Sequence, residues 1–231
     1  MIKDVDVLDH QRDFIESINP TTGLVAGFGA GKSYAGTLKT IIKKLQYPNI
    51  KVAYYLPNYP LIRDIAFEKF PEMCNDLGLH YQLNKSDKEL IIKDFGTIIF
   101  RNMSEPEMIV GYEVAYSLID ECDVMPKHKM DKAFKQILAR NRAKLPDGKP
   151  NQVDLVGTPE GYKFYYNLMV ASKPDNYRLI KAKTMDNPHL PEDYIDTLKA
   201  TYDEKLLQQY LLGEFINVNG SAVYHQFDRD I

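Results

Sequence analysis

The sequence predicts an α/β fold in which a mainly parallel β-sheet is sandwiched by helices. Short apolar runs of strand length alternate with longer segments of helical period, an order typical of parallel sheets. Glycine or proline follows several of these runs, as expected where strands end in loops. One run, residues 22–26, continues through a glycine-rich loop into a helix at about 32–45.

The other elements follow in chain order. Further strands are predicted at residues 51–56, 90–93, 97–101, 115–119 and 153–156. The second and third of these flank Asp94-Phe95-Gly96, which predicts a hairpin turn and an antiparallel excursion. Further helices are predicted at about residues 61–74, 130–139 and 192–212, the last ended by Gly213.

Composition places the chain among ordinary globular proteins. Its 231 residues, 44% hydrophobic and 26% charged, suffice for one well-filled core. No apolar stretch approaches the roughly 18–20 residues that cross a bilayer, and the acidic N-terminus is unlike a secretory signal. Cys74 and Cys122 are too few for a disulfide framework, so we expect reduced thiols in a cytosol. The net charge of −3 leaves nucleic-acid binding open, because that depends on local charge.

A phosphate-binding loop is predicted at residues 26–33, Ala-Gly-Phe-Gly-Ala-Gly-Lys-Ser, which fit the pattern except at Ala26, where glycine is usual. Glycines let backbone N–H groups curl around phosphate oxygens, and the following helix directs its unpaired N–H groups at the same anion. Lys32 is predicted to bind the β- and γ-phosphates and Ser33 to ligate Mg²⁺. A glycine-rich turn that binds nothing is the alternative. The predicted nucleotide contacts are Ala26, Gly27, Phe28, Gly29, Ala30, Gly31, Lys32 and Ser33.

Two carboxylates, Asp120 and Glu121, end an apolar strand. An Asp at such a strand end holds Mg²⁺, usually through water, beside a phosphate loop. The adjacent Glu121 is suited to polarise a water for attack on the γ-phosphate. Acids at strand ends are common, so the acidic pair indicates a nucleotide site only because a phosphate loop precedes it in the sequence. The letters Asn-Lys-x-Asp, which read the base in switch GTPases, occur at residues 84–87, ahead of the acidic pair. We expect ATP rather than GTP.

Two further positions are candidate contacts with ATP. Thr158, in the Gly-Thr-Pro turn after the strand at 153–156, is placed to sense the γ-phosphate or the attacking water, although such a turn also occurs without a function. Gln11 precedes the first predicted strand, and its amide is suited to bind the adenine edge through two hydrogen bonds.

Residues 127–149 form a basic segment with eight cationic and two acidic side chains, a local net charge of +6. The cations are Lys127, Lys129, Lys132, Lys135, Arg140, Arg142, Lys144 and Lys149. Three interpretations stay open: contacts with DNA phosphates, a solvated helix face, or a charge supplied to the ATP of a neighbouring subunit.

With these motifs in order, the chain resembles the ATPase domain of the large terminase subunit, the motor that pumps DNA into tailed-phage capsids. The most family-specific feature is a C-terminal signature similar to the segment that joins the motor domain to the nuclease domain. The matching segments are Gln11, residues 26–33, 117–121, 157–159, 186–188 (Asp-Asn-Pro) and 210–215 (Tyr-Leu-Leu-Gly-Glu-Phe).

The resemblance implies a P-loop NTPase of the RecA-like (ASCE) type that uses ATP and Mg²⁺, with its motor domain at residues 1–215. Residues 216–231 would be a linker and the start of a nuclease domain. No carboxylate cluster follows, so we expect a shortened or cleaved chain without nuclease activity. The resemblance also implies that Glu121 activates water and that Thr158 couples hydrolysis to movement.

Partners are implied by the same resemblance. They are double-stranded DNA, the portal protein, the small terminase subunit and further copies in a homo-oligomeric ring, five in the family. The ring would act on the procapsid in the host-cell cytoplasm, without a membrane.

The chain departs from the family pattern in two places. Many relatives carry glycine where Ala26 stands, and some carry a basic residue in place of Phe28. Members with a trans-acting arginine often place it just before a glycine upstream of the acids, where this chain has Val110-Gly111. The arginine finger is therefore unassigned, and an isolated domain is expected to hydrolyse ATP slowly. The candidates for the finger are Arg101, Arg140 and Arg142.

Two other function classes remain as alternatives. A superfamily 2 helicase motor fits the loop even at Ala26, and residues 120–123 spell a DExD box. Against it, helicases need a second motor domain and a Ser-Ala-Thr motif where the Gly-Thr-Pro turn stands. The non-enzymatic alternative is a nucleotide-binding switch or scaffold, against which Glu121 argues.

Overall fold

The computed structural model describes residues 4–172 and 174–217, and its centre is one eight-stranded sheet. The strands are β1 (Thr21–Ala26), β2 (Val52–Leu56), β3 (Tyr81–Asn84), β4 (Glu89–Ile92), β5 (Gly96–Asn102), β6 (Tyr116–Asp120), β7 (Gln152–Gly157) and β8 (Tyr177–Ala182). Their order across the sheet is β3-β4-β5-β2-β6-β7-β1-β8. The six strands from β5 to β8 in this order are parallel, and β4 and β3 extend the sheet antiparallel at one edge.

Helices cover both faces of the sheet. They are α1 (Asp9–Glu16), α2 (Lys32–Gln46), α3 (Tyr59–Leu61), α4 (Phe67–Asp76), α5 (Lys127–Arg140), α6 (Phe164–Tyr166), α7 (Tyr194–Thr201) and α8 (Glu204–Tyr210). A π-helical turn, Ile62–Ala66, joins α3 to α4, and another, Asn167–Ala171, continues α6. Buried side chains of α1, α2 and α4 share one core with the sheet, and those of α5 and α6 share the other. The predicted α/β sandwich with a mainly parallel sheet is therefore confirmed.

Strand residues alternate between the two cores, as the pleat of a sheet requires. On β2, Tyr54 belongs to the core under α2 and α4, while Tyr55 belongs to the core under α5. On β6, Tyr116 and Leu118 face the α2 side. Asp120 continues that alternation, so its carboxylate lies on the same side of the sheet as the first turn of α2.

The sequence-based element assignments differ from the structure at several elements. The helix predicted at 192–212 is wrong as a single helix, because the chain is extended at Tyr202 and Asp203 caps a new helix by accepting a hydrogen bond from Leu206 N at 2.9 Å. Strands β3 and β8 and helices α1 and α6 were not predicted. The hairpin is confirmed: β4 and β5 pair antiparallel around a turn in which Asp94 has a left-handed φ of 68°.

No helix in the described part of the chain has the length and apolarity needed to span a membrane. The predicted domain boundary after residue 215 lies two residues before the end of the described chain. Most of the predicted linker and nuclease start, residues 218–231, lies outside the described residues.

Candidate active site

The phosphate loop and the acidic pair meet at the carboxyl edge of the sheet. Strands β6, β7 and β1 are parallel neighbours, so the loops that follow them leave from the same edge, where α/β sheets bind ligands. Glu121 N donates to Val156 O at 3.0 Å, which fixes the end of β6 against β7. A cavity of about 410 Å³ lies there. The sequence-predicted residues on its wall are Phe28, Gly29, Gly31, Lys32, Ser33, Glu121 and Thr158.

The start of α2 provides the anion site. Gly31 takes a left-handed φ of 79° and caps the helix, so the N–H groups of the first turn have no partner within the helix. The buried Lys32 donates from Nζ to Gly27 O at 2.8 Å, which folds its ammonium over the loop. Burial lowers the pKa of Lys32, and the charges of Glu121 and Asp120 raise it. A buried ammonium beside free N–H groups is suited to receive phosphate oxygens.

Asp120 lies fully buried beneath the cavity. Its Oδ2 accepts a hydrogen bond from Tyr54 Oη at 2.6 Å, whereas its Oδ1 has no hydrogen-bond partner in the described structure. Burial raises the pKa of Asp120, and the hydroxyls of Tyr54 and Ser33 and the charge of Lys32 counteract that rise. An unsatisfied buried carboxylate oxygen is costly. Its position beside the Ser33 hydroxyl therefore fits the predicted Mg²⁺ site, since Mg²⁺ prefers oxygen ligands.

The cation would take its other ligands from phosphate and water. Within residues 4–172 and 174–217, no three His, Cys, Asp or Glu side chains converge as a ready-made metal site. Mg²⁺ commonly binds through one or two protein oxygens and keeps several waters or phosphate oxygens. Ser33 and Asp120 match that arrangement.

Glu121 takes a backbone conformation that is rare outside glycine, with φ 54° and ψ 42°. Its side chain lines the cavity, whereas that of the preceding Asp120 stays below it. Burial, followed by the charge of Asp120, raises the pKa of Glu121 to about 7, although Lys32 and the backbone of Thr158 oppose the rise. A carboxylate tuned towards neutral pH is suited to accept a proton from water.

Thr158 is brought to the same cavity by an acid that the sequence analysis did not single out. The buried Thr158 hydroxyl has no hydrogen-bond partner in the described structure. Its loop is held by Asp123, whose Oδ1 accepts from Tyr165 N at 2.9 Å and whose Oδ2 accepts from Glu160 N at 3.4 Å. Burial raises the pKa of Asp123 to about 6. The DExD sequence at residues 120–123 ends at Asp123, and this sequence feature could have identified the residue.

Gln11 lies in a second cavity of about 350 Å³, which adjoins the first at Gly31 and Tyr34 and also contains His189. Its amide Oε1 accepts from Leu8 N at 2.9 Å, and its Nε2 donates to Gly31 O at 3.2 Å. An amide group can make four hydrogen bonds. One donor and one acceptor therefore remain for a base edge, and the adenine contact of Gln11 stays a prediction.

The back of the phosphate loop packs against the C-terminal signature. A Cβ at Gly27 would lie 2.6 Å from Tyr210 O, so glycine is required there by close packing. Phe28 stacks on Tyr210 with 4.4 Å between ring centroids. Gly213 has a left-handed φ of 68°, and a Cβ there would lie 3.0 Å from Ala26 Cα. The C-terminal signature thus contacts Ala26 and Phe28, the two loop positions at which this chain departs from the family pattern.

The remaining loop carbonyls are also held by other segments. Gly29 O accepts from Asn187 Nδ2 at 2.6 Å, and Ala30 O lies 2.8 Å from His10 Nε2. Ala26, Gly27 and Ala30 therefore build the loop behind the cavity rather than its wall. Whether they contact a nucleotide stays a prediction.

The basic segment and the arginine candidates do not line the cavity in the described structure. Val114 N donates to Arg140 O at 3.1 Å, which places the end of α5 beside the start of β6, at the sheet edge opposite the cavity. Arg101, near the end of β5, stacks over Tyr112, 5.6 Å from its ring centroid. Arg142 pairs with Glu113 at 2.9 Å. None of these contacts identifies the finger, which stays unassigned.

Four cations of the basic segment are engaged in surface ion pairs. The pairs are Lys127–Asp131, Lys132–Glu107, Arg142–Glu113 and Lys149–Asp147. Such exposed pairs contribute little to stability. The three interpretations of the segment stay open.

Comparisons with known proteins agree with the geometry. A family model described as "Terminase large subunit, T4likevirus-type, N-terminal" matches residues 24–231. The PBSX phage terminase large subunit of Bacillus subtilis (strain 168) is 26% identical in an alignment 248 residues long, which includes 96% of this chain and 55% of that protein. This chain thus spans about half the length of that curated relative.

Solved structures show the same fold. The large terminase from the thermophilic bacteriophage D6E is 18% identical with a TM-score of 0.77, over 98% of this chain and 57% of that one. It has also been solved in complex with ADP, and that structure has a TM-score of 0.74. The large terminase ATPase domain of Thermus phage P74-26 is 15% identical with a TM-score of 0.70, over 91% of this chain and 94% of that one.

Proposed function

This chain belongs to the terminase large-subunit family, and we propose from that premise that it is the ATP-hydrolysing part of a motor that moves double-stranded DNA into a procapsid. The family match decides between the two motor families that the sequence left open, since it favours the terminase over the helicase. The ADP complex of the D6E protein supports the choice of an adenine nucleotide.

The observation that carries the proposal is the set of unsatisfied buried polar atoms at one cavity. Asp120 Oδ1 and Thr158 Oγ1 have no hydrogen-bond partner in the described structure. The buried ammonium of Lys32 has one backbone carbonyl, Gly27 O, as its hydrogen-bond acceptor. Leaving buried polar groups unpaired costs free energy, and a phosphate chain with its cation would satisfy all of them.

Each side chain has a defined role in the proposed mechanism. Lys32 and the N–H groups at the start of α2 bind the β- and γ-phosphates, and Ser33 and Asp120 would hold Mg²⁺. Bound Mg²⁺ would neutralise part of the phosphate charge. Glu121 orients the attacking water and accepts its proton. Thr158 contacts the γ-phosphate or the water, and so couples hydrolysis to movement.

The nucleoside would occupy the second cavity. Gly31 and Tyr34 line both cavities, so a bound nucleotide can extend from the phosphate site into the second cavity, towards Gln11. Gln11 would then bind the adenine edge with the donor and the acceptor that its present hydrogen bonds leave free.

The finer parts of the proposal concern assembly. We place the motor domain at residues 1–215 and a linker to a nuclease domain from 216 onwards. The proposed partners are duplex DNA, the portal protein, the small terminase subunit and a ring of further copies, on the procapsid in the host-cell cytoplasm. A ring fits the site, which shows no arginine of its own on the cavity wall among the described residues.

The test is ATP turnover by the purified chain with and without double-stranded DNA. We expect slow, Mg²⁺-dependent hydrolysis that duplex DNA increases, without strand separation. Separation of the strands of a fluorescent duplex by the full-length protein would overturn the terminase mechanism. Tight ATP binding with no turnover above that of Glu121→Gln would instead support a nucleotide-binding switch.

A further inference from the structure

Tyr210, at the end of α8, touches both loops of the site. Its ring stacks on Phe28 of the phosphate loop at 4.4 Å between centroids, with 11° between the planes. Its carbonyl accepts from Phe28 N at 2.7 Å. Its hydroxyl donates to Glu160 Oε1 at 3.2 Å, two residues after Thr158. Burial and the Glu160 carboxylate raise the pKa of Tyr210, so the hydroxyl keeps its proton and donates at neutral pH.

We propose that Tyr210 is a positioning residue that holds the phosphate loop and the Thr158 loop in one arrangement and thereby sets the rate of ATP hydrolysis. The inference rests on the proposed function, because it assumes that Lys32 and Thr158 act on the same phosphate group. Tyr210 itself is absent from the wall of the phosphate cavity. It therefore acts through the two loops and not by contact with the nucleotide.

Other contacts hold the two loops that Tyr210 joins, so a movement of one loop would displace the other. On the phosphate-loop side, Thr184 Oγ1 donates to Phe28 O at 2.8 Å and lies 3.3 Å from Tyr210 O. On the other side, Glu160 N donates to Asp123 Oδ2 at 3.4 Å. Displacement of a catalytic group by about 1 Å can cost about a hundredfold in rate. The Phe28–Tyr210 stack and the Tyr210–Glu160 hydrogen bond prevent such a displacement, so their loss should lower the rate of ATP hydrolysis.

The link continues into the C-terminal junction. Three residues after Tyr210, Gly213 passes so close to Ala26 that a side chain there would collide with the end of β1. Phe215 then packs on Tyr165 and Tyr166, which follow the Thr158 loop, at 6.1 and 5.6 Å between centroids. Residues 210–215 thus contact both sides of the site, and Tyr210 is the member that bonds directly to both loops.

The experiment separates the hydroxyl of Tyr210 from its ring. Tyr210→Phe removes the hydrogen bond to Glu160 and keeps the stack, so kcat should fall about three- to tenfold with KM for ATP unchanged. Tyr210→Leu removes both, so it should also raise KM by about two- to tenfold through loss of the stack. Steady-state turnover of the whole chain measures both constants, and calorimetry with ADP gives the fraction of competent sites.

Glu160 provides the conservative rescue. Glu160→Ala should lower kcat as Tyr210→Phe does, whereas Glu160→Gln keeps an acceptor oxygen and should restore most of the rate. The double variant Tyr210→Phe/Glu160→Ala should be no slower than either single variant, because both substitutions remove the same hydrogen bond. Tyr202→Phe is the matched control: that ring also lies beside Tyr210, at 5.9 Å between centroids, and its hydroxyl bonds neither loop in the described structure.

The outcomes are distinguishable. A kcat for Tyr210→Phe equal to that of the wild type, or effects of the two substitutions that multiply, would overturn the positioning role and leave the proposed function intact. A loss of kcat explained wholly by fewer competent sites would also overturn it, since that result means misfolding. Wild-type turnover no higher than that of Glu121→Gln would refute the proposed function, and the positioning role with it.

Discussion

Two buried lysines on α2 are held in opposite ways. Lys39 pairs with Asp154 at 2.6 Å, both side chains are fully buried, and Lys39 also donates to Phe14 O at 2.8 Å. The oxygens of Asp154 further accept from Thr22 N at 2.8 Å and Tyr116 Oη at 3.1 Å. Lys32 lies seven residues earlier, two turns or about 10 Å along the helix. There the lysine bonds to a backbone carbonyl, and the nearby Asp120 keeps one oxygen unpaired in the described structure.

The difference separates structural charge from functional charge. A buried ion pair with all its hydrogen bonds made is closed to ligands, and removal of one partner leaves a costly uncompensated charge. A buried lysine and carboxylate that are left partly unsatisfied cost stability in the ligand-free protein and gain their partners from a ligand. The Lys39–Asp154 pair thus stabilises the sheet, and the Lys32–Asp120 end of α2 is suited to bind the nucleotide.

The largest effect is expected at the reactive end, from Glu121→Gln. This substitution keeps the shape of the side chain and removes the proton acceptor, so turnover should fall about 10²- to 10⁴-fold. Binding of ADP, measured by calorimetry, should stay near the wild-type value because the phosphate contacts remain. Wild-type turnover in this variant would show that another group activates the water.

The second effect tests the closed pair. Asp154→Ala leaves the Lys39 ammonium buried without its carboxylate, so the free energy of unfolding should fall by about 3–5 kcal/mol. Urea denaturation measures this change. Asp120→Ala is the matched control at the other end of the comparison, and it should cost less stability because Asp120 forms no ion pair in the described structure and accepts one hydrogen bond, from Tyr54 Oη. Equal losses from the two substitutions would break the distinction between the ends.

The third effect is the loss of nucleotide affinity in Lys32→Ala. Removal of the ammonium takes away its charge-assisted contacts with the phosphates, so affinity for ATP should fall by about a hundredfold or more. Lys44→Met is the control, because Lys44 is also buried on α2 but donates to Ile50 O, away from the cavity. Tight binding of ATP by Lys32→Ala in calorimetry would refute the role of Lys32.

The sequence predicts the reactive end better than the closed pair, and the reason is distance along the chain. The phosphate loop and the acidic pair are contiguous motifs, so their chemistry is visible in a few adjacent letters. Lys39 and Asp154 are 115 residues apart, and Tyr210 and Glu160 are 50 apart. Only the fold brings these partners together, so neither the closed pair nor the Tyr210 link follows from local pattern.

Partial burial and local capping explain the errors in secondary structure. Strand β8 is at the sheet edge, where its residues are only partly buried, so it lacks the continuous apolar run that marked β1 and β6. The break between α7 and α8 depends on the cap made by Asp203, which a helical period across residues 192–212 conceals. Long, fully buried elements were the predictable ones.

The smallest effect is expected at the basic segment, whose charges are exposed, in contrast to the buried Lys32 and Lys39. Among the described residues, Lys129, Lys135 and Lys144 form no ion pair, in contrast to Lys127, Lys132 and Lys149. If the segment binds DNA, the unpaired lysines are free to bind phosphates. Removal of each lysine–phosphate pair should reduce the slope of log affinity against log salt by about 0.9.

A triple substitution to Gln of the unpaired lysines, compared with the same substitution of the paired ones, isolates this effect. We expect the unpaired set to weaken duplex binding severalfold and to flatten its salt dependence, and the paired set to change both less, since those lysines already have carboxylate partners. Salt titrations of a fluorescent duplex measure both quantities. Equal effects would mean that total charge matters and pairing does not. If neither set changes the slope, the segment is a solvated face or contacts a neighbouring subunit, and ATP turnover at increasing protein concentration would separate those two.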